Sequence, residues 1–320
     1  MVSVIMATYN GEKYIEKQLE SIACQTQPPD EVIICDDCST DETVKCIEEY
    51  INRNKLVGWK VFRNKKNLGY YDNFFQAIFL AEGDTIYLSD QDDVWDLNKI
   101  QTFETFYIDH PKTTMIQSNI VFIDESGESV ASSEYYHGKK QAEGFVPLYT
   151  ADMCRFAGSG YTMSFRKSVK EKLFQFGLNK QKAIFQYHDV LIGLMAIALG
   201  ECYLCMDIQD CHRLHNANAT QTQNESFIAN RTKRDQLDIL KRRVQGFELI
   251  KKYTEDNKEC FEHFISFAQD RIELIEKRKV SRIYKLIKNI ECYSSKAGLI
   301  TDILYGFGFE KLLLKLYKKL

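Results

Sequence analysis

The sequence predicts an α/β fold on a mostly parallel sheet, followed by a helical C-terminal region. Three observations carry that expectation. Short apolar runs alternate with helix-period segments through the first ninety residues. Polar clusters follow the apolar runs, as where parallel strands end at a ligand crevice. From about residue 224 to 279 the pattern is long, charged and helical.

Each element has its local reason. Residues 2–7 are apolar and partly β-branched, and Thr8-Tyr9-Asn10-Gly11 turns the chain. Residues 12–24 carry apolar side chains at Tyr14, Ile15, Leu19, Ile22 and Ala23, a helical period. After Pro28-Pro29, residues 31–35 read as a second strand ending in Asp36-Asp37. Thr40 is the expected N-cap of a helix over 41–54. Residues 59–62 form a third strand, Asn67-Leu68-Gly69 a turn, and 73–81 a helix stopped at Gly83. Residues 85–88 form a fourth strand running into Ser89-Asp90. Strands alternating with helices imply a parallel sheet covered on both faces. Beyond Trp95 the order is mixed: helix at 97–107, strand at 114–123, strand at 161–165, apolar helix at 188–199, short strand at 202–206, then a polar loop over 211–220. The domain division expected is 1–220, with halves 1–95 and 96–220, and a helical region at 221–320.

The bulk numbers exclude several classes. With 320 residues, 44% hydrophobic and 27% charged, the chain is neither disordered nor fibrous. A net charge of −3 hides an uneven distribution. Residues 277–320 hold eleven basic and three acidic side chains, so a basic tail follows an acidic body. The first residues show no basic segment followed by an apolar one, and the longest apolar stretch, 190–200, is about half the ~20 residues of a membrane span. A cytoplasmic location is therefore expected, and the ten cysteines, including Cys35, Cys38, Cys202 and Cys205, read as free thiols rather than as a zinc site.

The chemistry rests on carboxylates. No Gly-x-Gly-x-x-Gly follows the first strand and no Gly-Lys-Ser/Thr is present, so the common phosphate cradles are missing. Asp90-Gln91-Asp92-Asp93, at a strand end beside Trp95, offers an alternative. Two or three carboxylates there can hold Mg²⁺ or Mn²⁺ and leave positions open for a diphosphate. The same run also reads as an acidic turn ahead of a helix. Asp36-Asp37 can cap a turn, or accept hydrogen bonds from a base or ribose while Tyr9 packs on the base.

These residues resemble a known family. The motifs are Val2–Gly11, Ile34-Cys35-Asp36-Asp37-Cys38-Ser39-Thr40-Asp41, Asn67-Leu68-Gly69 and Ser89-Asp90-Gln91-Asp92-Asp93-Val94-Trp95. In that order they resemble the inverting family 2 glycosyltransferases of the GT-A fold, a Rossmann-like nucleotide-diphospho-sugar transferase architecture. The form of the last motif is most similar to the bacterial rhamnosyltransferase-like branch. Ala7 and Cys38 stand where the family often has Pro and Gly. The resemblance implies that Thr8, Tyr9 and Asp37 hold the nucleoside, with Asn10, Asp36 and Asn67 in the same pocket. It implies that Asp90 and Asp92 serve the diphosphate and its metal. The processive Gln-x-x-Arg-Trp motif is absent, which points to one sugar per encounter.

The remaining roles fall in the second half. Asp189, opening the apolar helix after Gln186-Tyr187-His188, is the expected catalytic base, with helix capping as the alternative. His212-Arg213-Leu214-His215 resembles the branch's Tyr-Arg-x-His loop. There His215 is a candidate metal ligand, with His212 the alternative, and Arg213 a candidate phosphate partner. Residues 311–320 form a basic amphipathic segment suited either to a membrane surface or to docking on the domain. The expected reaction is inverting transfer of rhamnose or another hexose from a TDP- or UDP-linked donor to a saccharide. The acceptor is expected to be lipid-linked, in bacterial O-antigen, capsule or wall synthesis, with no nucleic-acid partner. A sugar-1-phosphate nucleotidyltransferase and a non-catalytic sugar-binding protein stay open as alternatives.

Overall fold

The computed structural model describes residues 1–130, 143–148, 159–215, 232–293 and 297–309. The chain divides into two compact units, one of Met1–Pro147 with Gly158–Leu214, the other containing His215–Leu320. The first unit thus ends a few residues before the boundary expected at 220.

The first unit carries an eight-stranded sheet in the order β3-β2-β1-β4-β7-β5-β8-β6. Its strands are β1 (Val2–Thr8), β2 (Glu31–Asp36), β3 (Trp59–Arg63), β4 (Thr85–Ser89), β5 (Thr113–Ile123), β6 (Phe145–Pro147), β7 (Met163–Arg166) and β8 (Glu201–Arg213). The first four are mutually parallel, with Thr8 beside Asp36 and Met6 beside Ser89. Their polar ends therefore share one edge, as the alternating pattern predicts. β7 is antiparallel to both β4 and β5, and β8 runs parallel to β5. The sheet is thus mixed but mostly parallel, the architecture expected.

The helices of this unit are α1 (Ile15–Ala23), α2 (Thr43–Asn54), α3 (Tyr70–Leu80), α4 (Lys99–Asp109), α5 (Lys167–Gln175) and α6 (His188–Leu199). The apolar faces of α1, α2 and α4 meet the sheet in one core that includes Ile15, Leu19, Ile47, Ile100, Phe103, Val4 and Ile34. Thr40 is not the cap of α2. The helix begins at Thr43 with Glu42 at the N-cap position and no side-chain cap, while the Thr43 backbone N–H donates to Asp41 Oδ1 at 3.1 Å in the turn before it. Strand β8 departs further from expectation. It continues past Met206 to Arg213, and so includes residues 211–213, read from sequence as the start of a loop. A register shift pairs Ser118 with Cys205 and Asn119 with Gln209, so the strand bulges and resumes its pairing. His212 and Arg213 are therefore strand residues. Helix α5 and the short β6 were not foreseen either; α5 is mostly polar and β6 has three residues.

In the second unit, the helical expectation over 224–279 resolves into two helices, α7 (Lys233–Ile250) and α8 (Lys258–Lys277). They are followed by α9 (Ser281–Lys288) and α10 (Ala297–Phe307). A Thr232–Asp235 capping box opens α7. Leu240, Ala268, Ile275 and Tyr305 form its core. Beside them Asp302 is buried, and accepts from Arg271 at 2.6 and 3.1 Å, Tyr293 at 2.8 Å and Gln236 at 3.2 Å. The amphipathic segment 311–320 and residues 216–220 of the expected loop lie outside the described residues.

One buried ion pair ties the sheet's two halves together. Lys99 and Asp210, both fully buried, meet at 2.6 Å. Lys99 also donates to the Tyr161 carbonyl at 3.0 Å and lies 4.1 Å from the Trp95 ring centre. Asp210 accepts from Ser118 Oγ and from the Asp96 backbone N–H. Removing one partner strands a buried charge. Lys99→Met is therefore expected to destabilise the chain by about 3–5 kcal/mol, and Lys99→Met with Asp210→Leu by clearly less. Denaturant unfolding of both variants checks this.

Candidate active site at the sheet edge

Strands β1, β2 and β4 deliver their last residues to one edge, and the loops after them are stitched together by side chains. Asn10 has φ 49°, a left-handed conformation that Asn tolerates. Its Oδ1 accepts from the Thr40 backbone at 2.8 Å, while its own N–H donates to Ser39 Oγ at 2.9 Å. Gln91 forms a two-point clasp on Tyr9: it accepts from the Tyr9 N–H at 2.9 Å and donates to the Tyr9 carbonyl at 3.0 Å. Gly11 is needed for this clasp, because a Cβ there would land on the Gln91 side-chain amide. Tyr9 itself remains 49% exposed.

The two aspartates after β2 are both buried but engaged differently. Asp36 accepts from Thr8 Oγ1 at 3.2 Å and from the Ser39 N–H and hydroxyl, with Arg63 3.8 Å away. Asp37 accepts from Asn64 Nδ2 at 2.8 Å and from the Leu68 and Gly69 backbone N–H groups, each at 2.7 Å. Asn67 stays in this turn, donating to the Asp37 carbonyl at 3.2 Å. Thr8, Asn10, Asp36 and Asn67 thus form the frame of the pocket, with Asp37 holding the turn that opens α3.

After β4, the carboxylates of Asp90, Asp92 and Asp93 crowd together, each offering a ligand atom within 4.8 Å of the others. Asp93 is fully buried. It accepts from His212 Nδ1 at 2.8 Å and from the Arg213 N–H at 3.1 Å, while its second oxygen has no hydrogen-bond partner. Burial, then the negative charges of Asp93 and Asp92, hold the Asp90 carboxyl well above the usual range. Asp189 also contributes to that shift. Burial opposes the charged form of His212, but the attraction of Asp93, Asp90 and Asp92 outweighs it and raises its pKa. The ring also stacks on Tyr161, with centroids 4.4 Å apart and planes 8° apart.

These observations meet the demands of a divalent cation. Three mutually repelling carboxylates and a buried, unpartnered carboxylate oxygen are what such an ion would stabilise. Asp90 and Asp92 are brought together as expected, and Asp93 joins them. His215 belongs to the second unit and is not part of this group among the described residues. His212 touches the group through Asp93. Arg213 is buried, and its guanidinium donates to the carbonyls of Asp92 at 3.0 Å, Asp124 at 3.0 Å and Glu125 at 3.3 Å. In this arrangement it braces the acidic loop rather than presenting itself to a phosphate.

Asp189 sits in the first turn of α6, half-buried, and its Oδ1 accepts from the Val190 N–H at 2.7 Å. Gly160 lies between β4 and this helix: a Cβ there would approach His188 Nε2 at 3.1 Å, Asp189 Cβ at 3.6 Å and Leu88 at 3.6 Å. Asp189 is therefore delivered to the end of β4, beside the acidic group. Gln91, Gly11 and the Lys99–Asp210 pair have roles that sequence reasoning missed. Gln91 lay inside a motif already singled out, whereas Lys99 and Asp210 are separated by 111 positions with no local signal.

Fold and site together define an α/β sheet edge that carries a group of three carboxylates. The model of Glycosyl transferase family 2 matches residues 3–172, and the chain belongs to that family. A dTDP-rhamnosyl transferase, RfbG, of Shigella flexneri is 40% identical over 100 residues, covering 30% of this chain and 34% of that protein. The structure of Staphylococcus aureus TarS 1–349 in complex with UDP-GlcNAc is similar at TM-score 0.61 and 20% identity, covering 91% of this chain and 81% of that one. A mannosyltransferase from Pyrobaculum calidifontis, in complex with GDP-Man and Mn²⁺, is similar at TM-score 0.56 and 15% identity, covering 99% and 82%. The GT-A fold is therefore shared with both structures. The matched regions span from 20% to 46% of the length of these curated relatives.

The clasp gives a test independent of any ligand. Gly11→Ala is expected to displace Gln91, lose two hydrogen bonds and cost about 1–2 kcal/mol. In a Gln91→Ala background the same change is expected to cost much less, which a double-mutant unfolding cycle reads directly.

Proposed function

We propose that the chain is an inverting glycosyltransferase that moves a single sugar from a nucleoside diphosphate donor to a saccharide acceptor. The observation that carries the reading is the juxtaposition of Asp90, Asp92 and Asp93 with Asp189 at the end of β4, on the edge that also bears Tyr9 and Asp37. In this reading the exposed Tyr9 ring packs on the base, and Asp37 accepts from base or ribose. Asp90 and Asp92, with Asp93, hold Mn²⁺ or Mg²⁺, which when bound neutralises charge on the diphosphate leaving group. Asp189 accepts the proton of the acceptor hydroxyl as its oxygen attacks the anomeric carbon. The bond to the diphosphate breaks on the opposite face, so the centre inverts. Arg213 and Gln91 keep the acidic loop and the Tyr9 turn in register.

The donor we favour is a TDP- or UDP-linked rhamnose or other hexose, in line with the rhamnosyl transferase and the UDP-GlcNAc-bound structure it resembles. The acceptor is a saccharide, lipid-linked, in bacterial surface polysaccharide synthesis. The basic C-terminal region suits peripheral contact with the inner face of an anionic membrane. No helix among the described residues is long and apolar enough to cross a membrane.

Two experiments test this reading. A screen of nucleoside diphosphate sugars for Mn²⁺-dependent nucleoside diphosphate release is expected to find at least one donor; silence with every donor, with and without acceptor, overturns it. Asp189→Ala is expected to lower turnover by roughly 10²–10⁴-fold while nucleotide affinity stays within a few-fold. In a separate measurement, Mn²⁺ at about 100 times its Kd should stabilise the wild type by about 2.7 kcal/mol, and much less in Asp92→Ala.

A further inference from the structure

Beside Asp189 lies an aromatic feature that the donor site does not use. Tyr70, at the start of α3, and Tyr187, just before α6, are 42% and 41% exposed. Their rings stack with centroids 6.3 Å apart and planes 25° apart. The pair is built rather than incidental. The Tyr70 hydroxyl donates to the Gln186 carbonyl at 2.9 Å, which fixes one ring to the segment carrying the other. Beneath them His188, only 7% exposed, stacks on Phe74 at 4.0 Å and 14° and lies 6.2 Å from Tyr70.

His188 makes an unusual support. Neither ring nitrogen has a hydrogen-bond partner, and burial lowers its pKa, keeping it neutral. Leaving such a group unsatisfied costs stability. The imidazole acts as a flat spacer. It is packed between Phe74 and Gly160, and it holds Tyr187 on one side and Asp189 on the other. Burial, and then the nearby Tyr187 and Asp189, raise the pKa of Tyr70.

We propose that Tyr70 and Tyr187 form a platform on which a pyranose ring of the acceptor stacks, a subsite for a neutral sugar beside Asp189. The proposal rests on the glycosyltransferase reading above. Two exposed aromatic rings held against one another offer a surface on which a ligand can pack. The electron-rich ring faces suit the C–H faces of a sugar. The location selects the acceptor over the donor. The donor's diphosphate and base are assigned to the edge formed by β1, β2 and β4, whereas the proton acceptor must touch the acceptor hydroxyl. A platform two residues from Asp189 in the chain orients a ring at that point.

The test uses the full chain with Mn²⁺ and UDP or TDP. Saturation-transfer NMR is recorded with methyl α-rhamnopyranoside, methyl β-N-acetylglucosaminide and methyl β-galactopyranoside as probes. At least one glycoside is expected to show transfer to its ring C–H protons. The signal is retained in Tyr187→Phe and Tyr187→Trp, and falls at least fivefold in Tyr187→Ala and Tyr70→Ala, with nucleotide affinity within twofold. The subsite is overturned if no glycoside shows transfer, if Tyr187→Ala leaves the signal unchanged, or if nucleotide affinity falls in parallel with it. Donor turnover separates the two levels. Glycoside binding indifferent to Tyr187→Ala, with nucleoside diphosphate release intact, overturns only the platform. Absence of release from any donor overturns the reading beneath it.

Discussion

The buried Lys99–Asp210 pair is the constraint on which the site's geometry depends. Removing two charges from water costs several kcal/mol per ion, offset only by good geometry and further hydrogen bonds. Both conditions hold here, through the Tyr161 carbonyl, Ser118, the Asp96 N–H and the face of Trp95. The pair joins the start of α4 to β8 across the sheet. The acidic loop leads from β4 into α4, so its downstream end is anchored. Its other contacts come from α1, where Ser21 accepts from the Trp95 N–H and Gln25 donates to the Asp96 carbonyl. From β8, Cys211 and Val94 exchange backbone hydrogen bonds at 2.8 and 3.0 Å.

A loop held this way cannot relax its own repulsion. Free carboxylates would separate; Asp90, Asp92 and Asp93 are kept within one coordination radius by their backbone. The consequence is the raised pKa of Asp90 and the raised pKa of His212, two responses to one concentration of negative charge. Such electrostatic strain favours a divalent cation, and the cation favours a diphosphate. The rigidity that makes the group costly also makes it preorganised, so little reorganisation is needed when charge develops on a leaving group. Arg213 illustrates the trade. Its guanidinium donates to three carbonyls and so holds the loop.

The sequence made legible what is local. Alternating periodicity reported four parallel strands, because side chains on such strands are buried on both faces and the intervening helices show one apolar stripe. The strand-end clusters follow from that topology, so the sequence pattern alone puts Asp90 and Asp92 on the same edge as Tyr9 and Asp37. What escaped was non-local or disguised. Strand β8 past Cys205 reads as loop because Asp207, Gln209 and Asp210 are polar. Its pairing comes from β5 and Val94, not from its own composition. Asp210 is polar because it needs Lys99, and no pattern links positions 111 apart. Thr40 looked like a helix cap by residue type, but its backbone N–H bonds Asn10 and the helix starts later, at Thr43, with Glu42 at the N-cap position.

Asp37 shows how frame and recognition can share one side chain. A carboxylate offers about four acceptor positions. Asp37 spends three on Asn64, Leu68 and Gly69, fixing the turn before α3. Asp36 is likewise occupied by Thr8 and Ser39. A ligand N–H or O–H would therefore meet one remaining acceptor position on Asp37, on an oxygen whose direction is already set. A site with a single fixed acceptor discriminates by geometry, because a donor group in the wrong place finds no second position to use. It also spares the ligand the cost of ordering the turn, since that order is formed by the protein's own backbone N–H groups. The same logic governs Tyr9, whose backbone is fixed at both polar atoms by Gln91 while its ring stays open. In the proposed reading, recognition on this edge would come from side chains whose main-chain settings are locked elsewhere in the unit.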